Sequence, residues 1–356
     1  MKPALVAFLG YFLGIDGGPT MYLGRKYRLS ELLVWTRGEI AWVLAWSVAV
    51  TLLLVLTKWH FLAVPATVLA VVGTAVAVVL AFKNQQCFAR VNEALAVWGQ
   101  ITGASMMWAG KLLSTVGQTE PAALRPLVYR HLAWLTALRF LLRARKVWEN
   151  TFEPGNARYL ARLPTPESQS TLDKELAAYL TADELAQVTG HRGEKETLLL
   201  QWQYRAVGDL YRQGRIDSSV YFLLTSALDE LVRLQGQAKR IKNYPYPRNY
   251  YSITLVLVKA FVILMPLGLF PFFWDAGTPG GIARWTAWLN VPASVFVGWA
   301  FLTLEKVGEN SSNPFEGGSN DVPISTIARR IEIELKTMLG EKTDLVPLEP
   351  KDNVVF

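Results

Sequence analysis

One cysteine, Cys87, stands in 356 residues, so the chain forms no internal disulfide. Histidine is nearly as scarce. His60, His131 and His191 lie far apart, and none has a carboxylate or second ligand at metal-binding spacing. No glycine loop that would cradle a phosphate is present, nor a nucleophile motif, nor a dinucleotide fingerprint. The adjacent carboxylates Asp183 and Glu184, and Glu332 and Glu334, fit solvated helix faces better than acid–base pairs. Alternating strand patterns of useful length are also missing, which leaves helix as the regular element. These absences remove the enzyme classes: the sequence offers no catalytic residue, no metal ligand set and no cofactor site.

What is there is apolar surface. Hydrophobic residues make up 51% of the chain, with 13 tryptophans against 18% charged residues. That is too apolar for an ordinary soluble domain and too charged for a chain lying wholly in lipid. Four runs carry the excess: Glu39–Thr57, Phe61–Phe82, Ile253–Phe273 and Ala283–Leu304. Each approaches the roughly 20 apolar residues that cross a bilayer core.

The net charge of +7 follows these runs. Arg25, Lys26, Arg28 and Arg37 precede the first, Lys83 and Arg90 follow the second, and Lys239, Arg240, Lys242 and Arg248 precede the third. Only Lys58 lies between the first pair, and only Arg284 near the turn of the second. By the positive-inside rule both termini and the long central region are cytoplasmic. The basicity is topological, and nucleic acid is not a partner. Cys87 then faces a reducing compartment and reads as a packing residue. The apolar N-terminal run MKPALVAFLGYFLG lacks a small-x-small cleavage site and reads as an uncleaved interfacial or buried segment.

The expected organisation is a cytoplasmic or interfacial segment over 1–38 and a first membrane hairpin over 39–82. A cytosolic helical region over 83–249 follows, then a second hairpin over 250–305 and a cytoplasmic tail over 306–356. Trp35, Trp42, Trp46 and Trp59 bracket the first span, and Trp274, Trp285 and Trp288 flank the second turn, as headgroup anchors do. Pro266 should kink the third span. Residues 121–150 form a basic amphipathic pattern that suits a membrane surface or a bundle. Thr181 and Glu184 form a capping box.

Three features bear on function. Thr74, Val78 and Phe82 share one face of the second span, at i, i+4 and i+8. A narrow pore lining ending at a basic collar of Lys83 and Arg90 needs such a stripe, and a lipid-facing or helix-packing stripe has the same spacing. Lys259 lies within the third span, where an ionisable group must snorkel, pair or face water. Glu309–Asp321 is a turn rich in oxygen ligands, suited to a structural break or to a hard cation.

Several stretches together resemble the bestrophin family of ion channels. They are Phe82-Lys-Asn-Gln-Gln-Cys-Phe-Ala-Arg90-Val-Asn-Glu93 with Trp98-Gly99, and Asn243-Tyr-Pro245-Tyr-Pro247-Arg-Asn-Tyr250 with Met265-Pro266. Glu309, Asn313-Pro314-Phe315, Asn320-Asp321-Val-Pro323 and Ile331-Glu332-Ile333-Glu334 complete the set, which spans Met21 to Gly340. The resemblance implies an all-α membrane protein, with four transmembrane helices in two hairpins and a helical cytosolic domain. It further implies a homopentamer in membrane lipid, with one central pore for monovalent ions, most often anions such as chloride. The family's neck matches Thr74, Val78 and Phe82, and its cytosolic aperture falls at Val220. Gly318 stands where the animal members place a calcium-clasping carboxylate, and Asp321 remains. Calcium gating is therefore not carried over, and the chain resembles bacterial members. A cation channel of the same architecture, a secondary transporter and a membrane-anchored scaffold are the competing readings.

Overall fold

The computed structural model describes residues 29–150, 154–318, 320–342 and 344–349. The N-terminal apolar run, the basic residues Arg25, Lys26 and Arg28, and Ser319 of the Glu309–Asp321 turn lie outside them. Among the described residues all regular structure is helical. In chain order the helices are α1 (Leu29–Trp35), α2 (Arg37–Thr57), α3 (Ala66–Ser114), α4 (Val116–Thr119) and α5 (Pro121–Arg143). Next come α6 (Pro154–Arg162), α7 (Leu172–Leu176), α8 (Ala182–Gly190), α9 (Lys195–Arg212) and α10 (Ser218–Asn243). The last are α11 (Arg248–Gly277), α12 (Ala283–Thr286), α13 (Asn290–Asn310) and α14 (Ile324–Met338).

The chain divides into two compact units. One, here the membrane unit, holds the described residues of 29–89 and 246–312; the other, the polar unit, holds those of 90–245 and 313–349. The long helix α3 contributes residues 66–89 to the first and 90–114 to the second.

In the membrane unit the four apolar runs are four helical stretches long and apolar enough to span a bilayer. The second span, from His60, is not one continuous α-helix at its start. His60–Leu62 forms a short 3-10 turn, and α3 starts at Ala66 after Pro65. Proline disfavours helix at the residue before it, so the apolar run carries its own interruption in its sequence. The fourth span is likewise divided into α12, a 3-10 turn at Ala287–Leu289, and α13.

Helix α11 runs through Pro266 and Pro271. Proline has no N–H to give the carbonyl four residues back, so Pro271 frees the Leu267 carbonyl. The Val64 N–H donates to that carbonyl at 3.3 Å. Asn290, fully buried, donates to the Pro266 carbonyl at 3.0 Å and to Thr51 at 2.9 Å. Pro271 therefore sits where a neighbouring segment supplies a donor, as backbone in lipid requires, and Asn290 adds a bond beside Pro266. A cluster of Val43, Leu69, Val76, Leu80, Val258, Phe261 and Val262 joins the helices. His60 lies edge-on to Trp274 at 4.9 Å, within an aromatic corner that includes Phe270.

The polar unit is a helical bundle whose core includes Trp98, Trp108 and Trp134, all fully buried. Its central helix is α5. Residues Leu127–Arg139 are mostly buried against α9, and Arg139 pairs with Glu167 and Glu175. Of the two settings open to this basic amphipathic segment, the bundle is the one observed. The Thr181–Glu184 capping box closes the start of α8 as expected. Glu332 departs from expectation: it is buried beside Arg329 and Lys336 instead of lying on a solvated face. Its spacing on α14 brings both bases within one turn of it, which the carboxylate pattern alone did not reveal.

Candidate functional site

Along residues 66–89 helix α3 has two sharply different faces. Gly73, Val76, Leu80, Lys83 and Cys87 are buried at helical spacing. Thr74, Val78 and Phe82 are exposed on the opposite side, Val78 at 49% and Phe82 at 62%. Only 11% of the most apolar stretch of this span is buried, against 33% to 44% in the other three. Gly73 makes the inward packing possible, since a Cβ there would stand 2.8 Å from the Phe261 ring. The Thr74 hydroxyl donates to the Ala70 carbonyl of its own helix at 2.9 Å. Its hydrogen-bonding capacity is partly spent on the backbone, so the outward surface at this level is less polar than a threonine implies.

Lys83 is not part of a basic collar. Its side chain is 0% exposed, and its Nζ lies 2.5 Å from Glu305 Oε1 on α13. The same Nζ stands over the Tyr251 ring of α11, 4.4 Å from its centre. Tyr251 in turn donates its hydroxyl to Glu309 at 2.5 Å. Asn84 donates to the Leu304 carbonyl at 3.0 Å, and Gly308 leaves the room it needs. Three helices thus meet in one hydrogen-bonded cage a single residue beyond Phe82. Breaking such a buried pair from one side typically costs roughly 3–5 kcal/mol, because the remaining charge stays buried. The other expected collar residue, Arg90, is half-buried in the polar unit, where it donates to the Ile241 carbonyl at 2.9 Å.

The remaining motif residues serve structure. Glu93 pairs with Arg240. Pro245 sits in the segment between α10 and α11, and Pro247 caps the start of α11. Phe315 is 1% exposed in the core of the polar unit, Pro314 accepts from the Val322 N–H, and Asn313 donates to Glu316. Asp321 Oδ2 accepts from the Gly317 and Gly318 N–H groups at 2.6 and 2.9 Å. Its carboxylate braces the turn. The turn carries a second carboxylate, Glu316, which the comparison at Gly318 passed over. Burial, with Asp321 and Glu149 nearby, pushes its pKa up to about 9. Among the described residues no three metal-binding side chains converge.

Val220 lies in the first turn of α10, its N–H donating at 2.8 Å to the capping Asp217 carboxylate. The side chain is half-buried against the bundle core. Its neighbours Phe222 and Leu223 are the exposed apolar residues, at 68% and 40%. Leu223 belongs to the helical apolar spacing of Val220, Leu224 and Leu228, whereas Phe222 falls outside it and was missed by sequence reasoning. Lys259 is exposed on α11, on the face it shares with Ser252, Val256 and Ile263.

Four membrane-length helices and a separate polar unit of helices define an all-α integral membrane protein. The bacterial and fungal bestrophin family model matches residues 28–337, and the chain belongs to that family. Among its relatives are voltage-dependent anion channel-forming proteins. The Salmonella typhi protein YneE is 25% identical over 274 residues, covering 77% of this chain and 76% of that one. The Escherichia coli K12 protein is 26% identical over 275 residues, 76% of each chain. A Mesorhizobium japonicum relative is 22% identical over 333 residues, 91% of this chain and 94% of its own. The crystal structure of a bacterial bestrophin homologue from Klebsiella pneumoniae superimposes with a TM-score of 0.72 at 20% identity. The superposition covers 86% of this chain and 99% of that one, and it establishes the shared fold.

Proposed function

We propose that the chain forms a passive channel for monovalent anions, assembled as a homopentamer around one pore. Thr74, Val78 and Phe82 form its neck and Val220 its cytosolic aperture. The observation that carries this reading is the exposed stripe on the least buried span, with its opposite face fixed by packing and by the Lys83–Glu305 pair. Beyond the span the same exposed face continues through Gln85, Gln86, Ala89 and Asn92, so the surface assigned to the pore turns polar where it leaves the membrane. The relatives named for anion channel formation support the choice of ion.

The pore reading places the polar unit and both termini in the cytoplasm of a bacterial cell, with the spans in the inner membrane. The functional segments then follow the boundaries 39–82, 83–249 and 250–305. Asp321 braces its own turn, so calcium has no role in opening. Purified protein in a planar bilayer under asymmetric potassium chloride tests the function. Unitary currents reversing near the chloride equilibrium potential are expected. Reversal near the potassium potential supports the cation reading, turnover at carrier rates a transporter, and absent flux a scaffold.

A further inference from the structure

We infer that Lys83 and Glu305 are positioning residues that set the rotation of the neck helix and so aim Phe82 at the pore. This rests on the reading of Phe82 as pore-lining. Successive residues on a helix point about 100° apart, so the direction of Lys83 fixes that of Phe82 directly. The apolar contacts holding this part of α3 include Gly73, Val76 and Leu80 against aliphatic and aromatic neighbours. Gly73 against Phe261 limits a roll by shape, but near Phe82 the apolar packing is non-directional and leaves room for a partial one.

The ion pair does not tolerate it. Lys83 has no exposed surface, its ammonium is enclosed by Glu305 and the Tyr251 ring, and a roll would strand both charges in a dry setting. Asn84, bonded to the Leu304 carbonyl, adds a second directional contact one residue on. The three consecutive side chains therefore divide the work: Phe82 faces out, while Lys83 and Asn84 hold the helix to α13.

Thiol accessibility reads the rotation. Cys87 is fully buried and is replaced by alanine to give a silent background. Single cysteines at Val78, Val79, Leu80 and Phe82 are then exposed to a small charged thiol reagent during bilayer recording. Each is made with the native pair, with the pair exchanged (Lys83→Glu with Glu305→Lys), and with both residues changed to Met.

With the native pair, block at positions 78 and 82 and silence at 80 are expected. The double-Met chain should lose reactivity at 82 by an order of magnitude and gain it at 79 or 80, and the exchanged pair should restore the native pattern. An unchanged pattern in the double-Met channel overturns the inference, as does a double-Met chain that no longer assembles, which would make the pair a folding element. Silence at both 78 and 82 with the native pair overturns the pore reading itself, so the two failures are distinguishable.

Discussion

Phe82 is the residue on which conduction should turn. It is the bulkiest exposed side chain on its face of α3, and a ring of such groups gates by excluding water. Phe82→Ala removes that bulk while keeping a strong helix former in place. Unitary current or open probability should rise several-fold in bilayer recordings, with assembly unchanged. Thr74→Ala should change either quantity far less, because the hydroxyl it removes already bonds its own backbone. Unaltered currents in a correctly assembled Phe82→Ala channel would take Phe82 off the conduction path. The stripe itself was legible in the sequence, because a period of 3.6 depends only on local spacing. Lys83 was misread for the opposite reason. A lysine at the end of an apolar run looks like a topological charge, and its partner Glu305 lies 222 residues away. No local pattern announces a pair of that separation.

The Asn313–Val322 turn behaves as a unit with its own pH response. Glu316 is held protonated in the fold, with a pKa of about 9, while the unfolded chain releases that proton in the ordinary carboxylate range. Between those limits the folded state binds more protons than the unfolded one. The contribution of Glu316 is therefore complete below the ordinary range and is lost as pH rises towards 9. Glu316→Gln should melt higher than wild type at pH 8 to 9 by roughly 1–2 °C for each kcal/mol recovered, and no higher at pH 4. Thermal melts of both proteins across that range check it. Calcium chelation should leave the current unchanged, since Asp321 is engaged by two backbone N–H groups. A steep calcium dependence abolished by Asp321→Ala would contradict this. At this scale the sequence marked the turn and the α8 capping box, both of which rest on neighbouring residues. It did not mark the 3-10 turn and break before Ala66 at the start of the second apolar run. Hydropathy averages over Pro65, whereas the backbone obeys it.

One membrane unit cannot enclose a path lined by a single helix face, so conduction requires a closed ring of copies. The detergent-corrected mass of the purified protein should equal five chains of 39.8 kDa. A stable monomer or dimer would remove the pore. The fold class was readable because helix and membrane span both announce themselves in hydropathy. The contacts between distant segments were not, and the membrane unit is held partly by a contact that no side chain makes. Val64 gives its backbone N–H to the carbonyl that Pro271 leaves free, fastening the first hairpin to the second. Replacing Val64 by alanine keeps that N–H, so conventional mutagenesis is blind to the fastening. The substitution that touches it is Pro271→Ala, which lets α11 reclaim its own carbonyl. A change that perfects the helix would remove this tie between the hairpins, and at position 64 itself proline is the substitution that abolishes the donor.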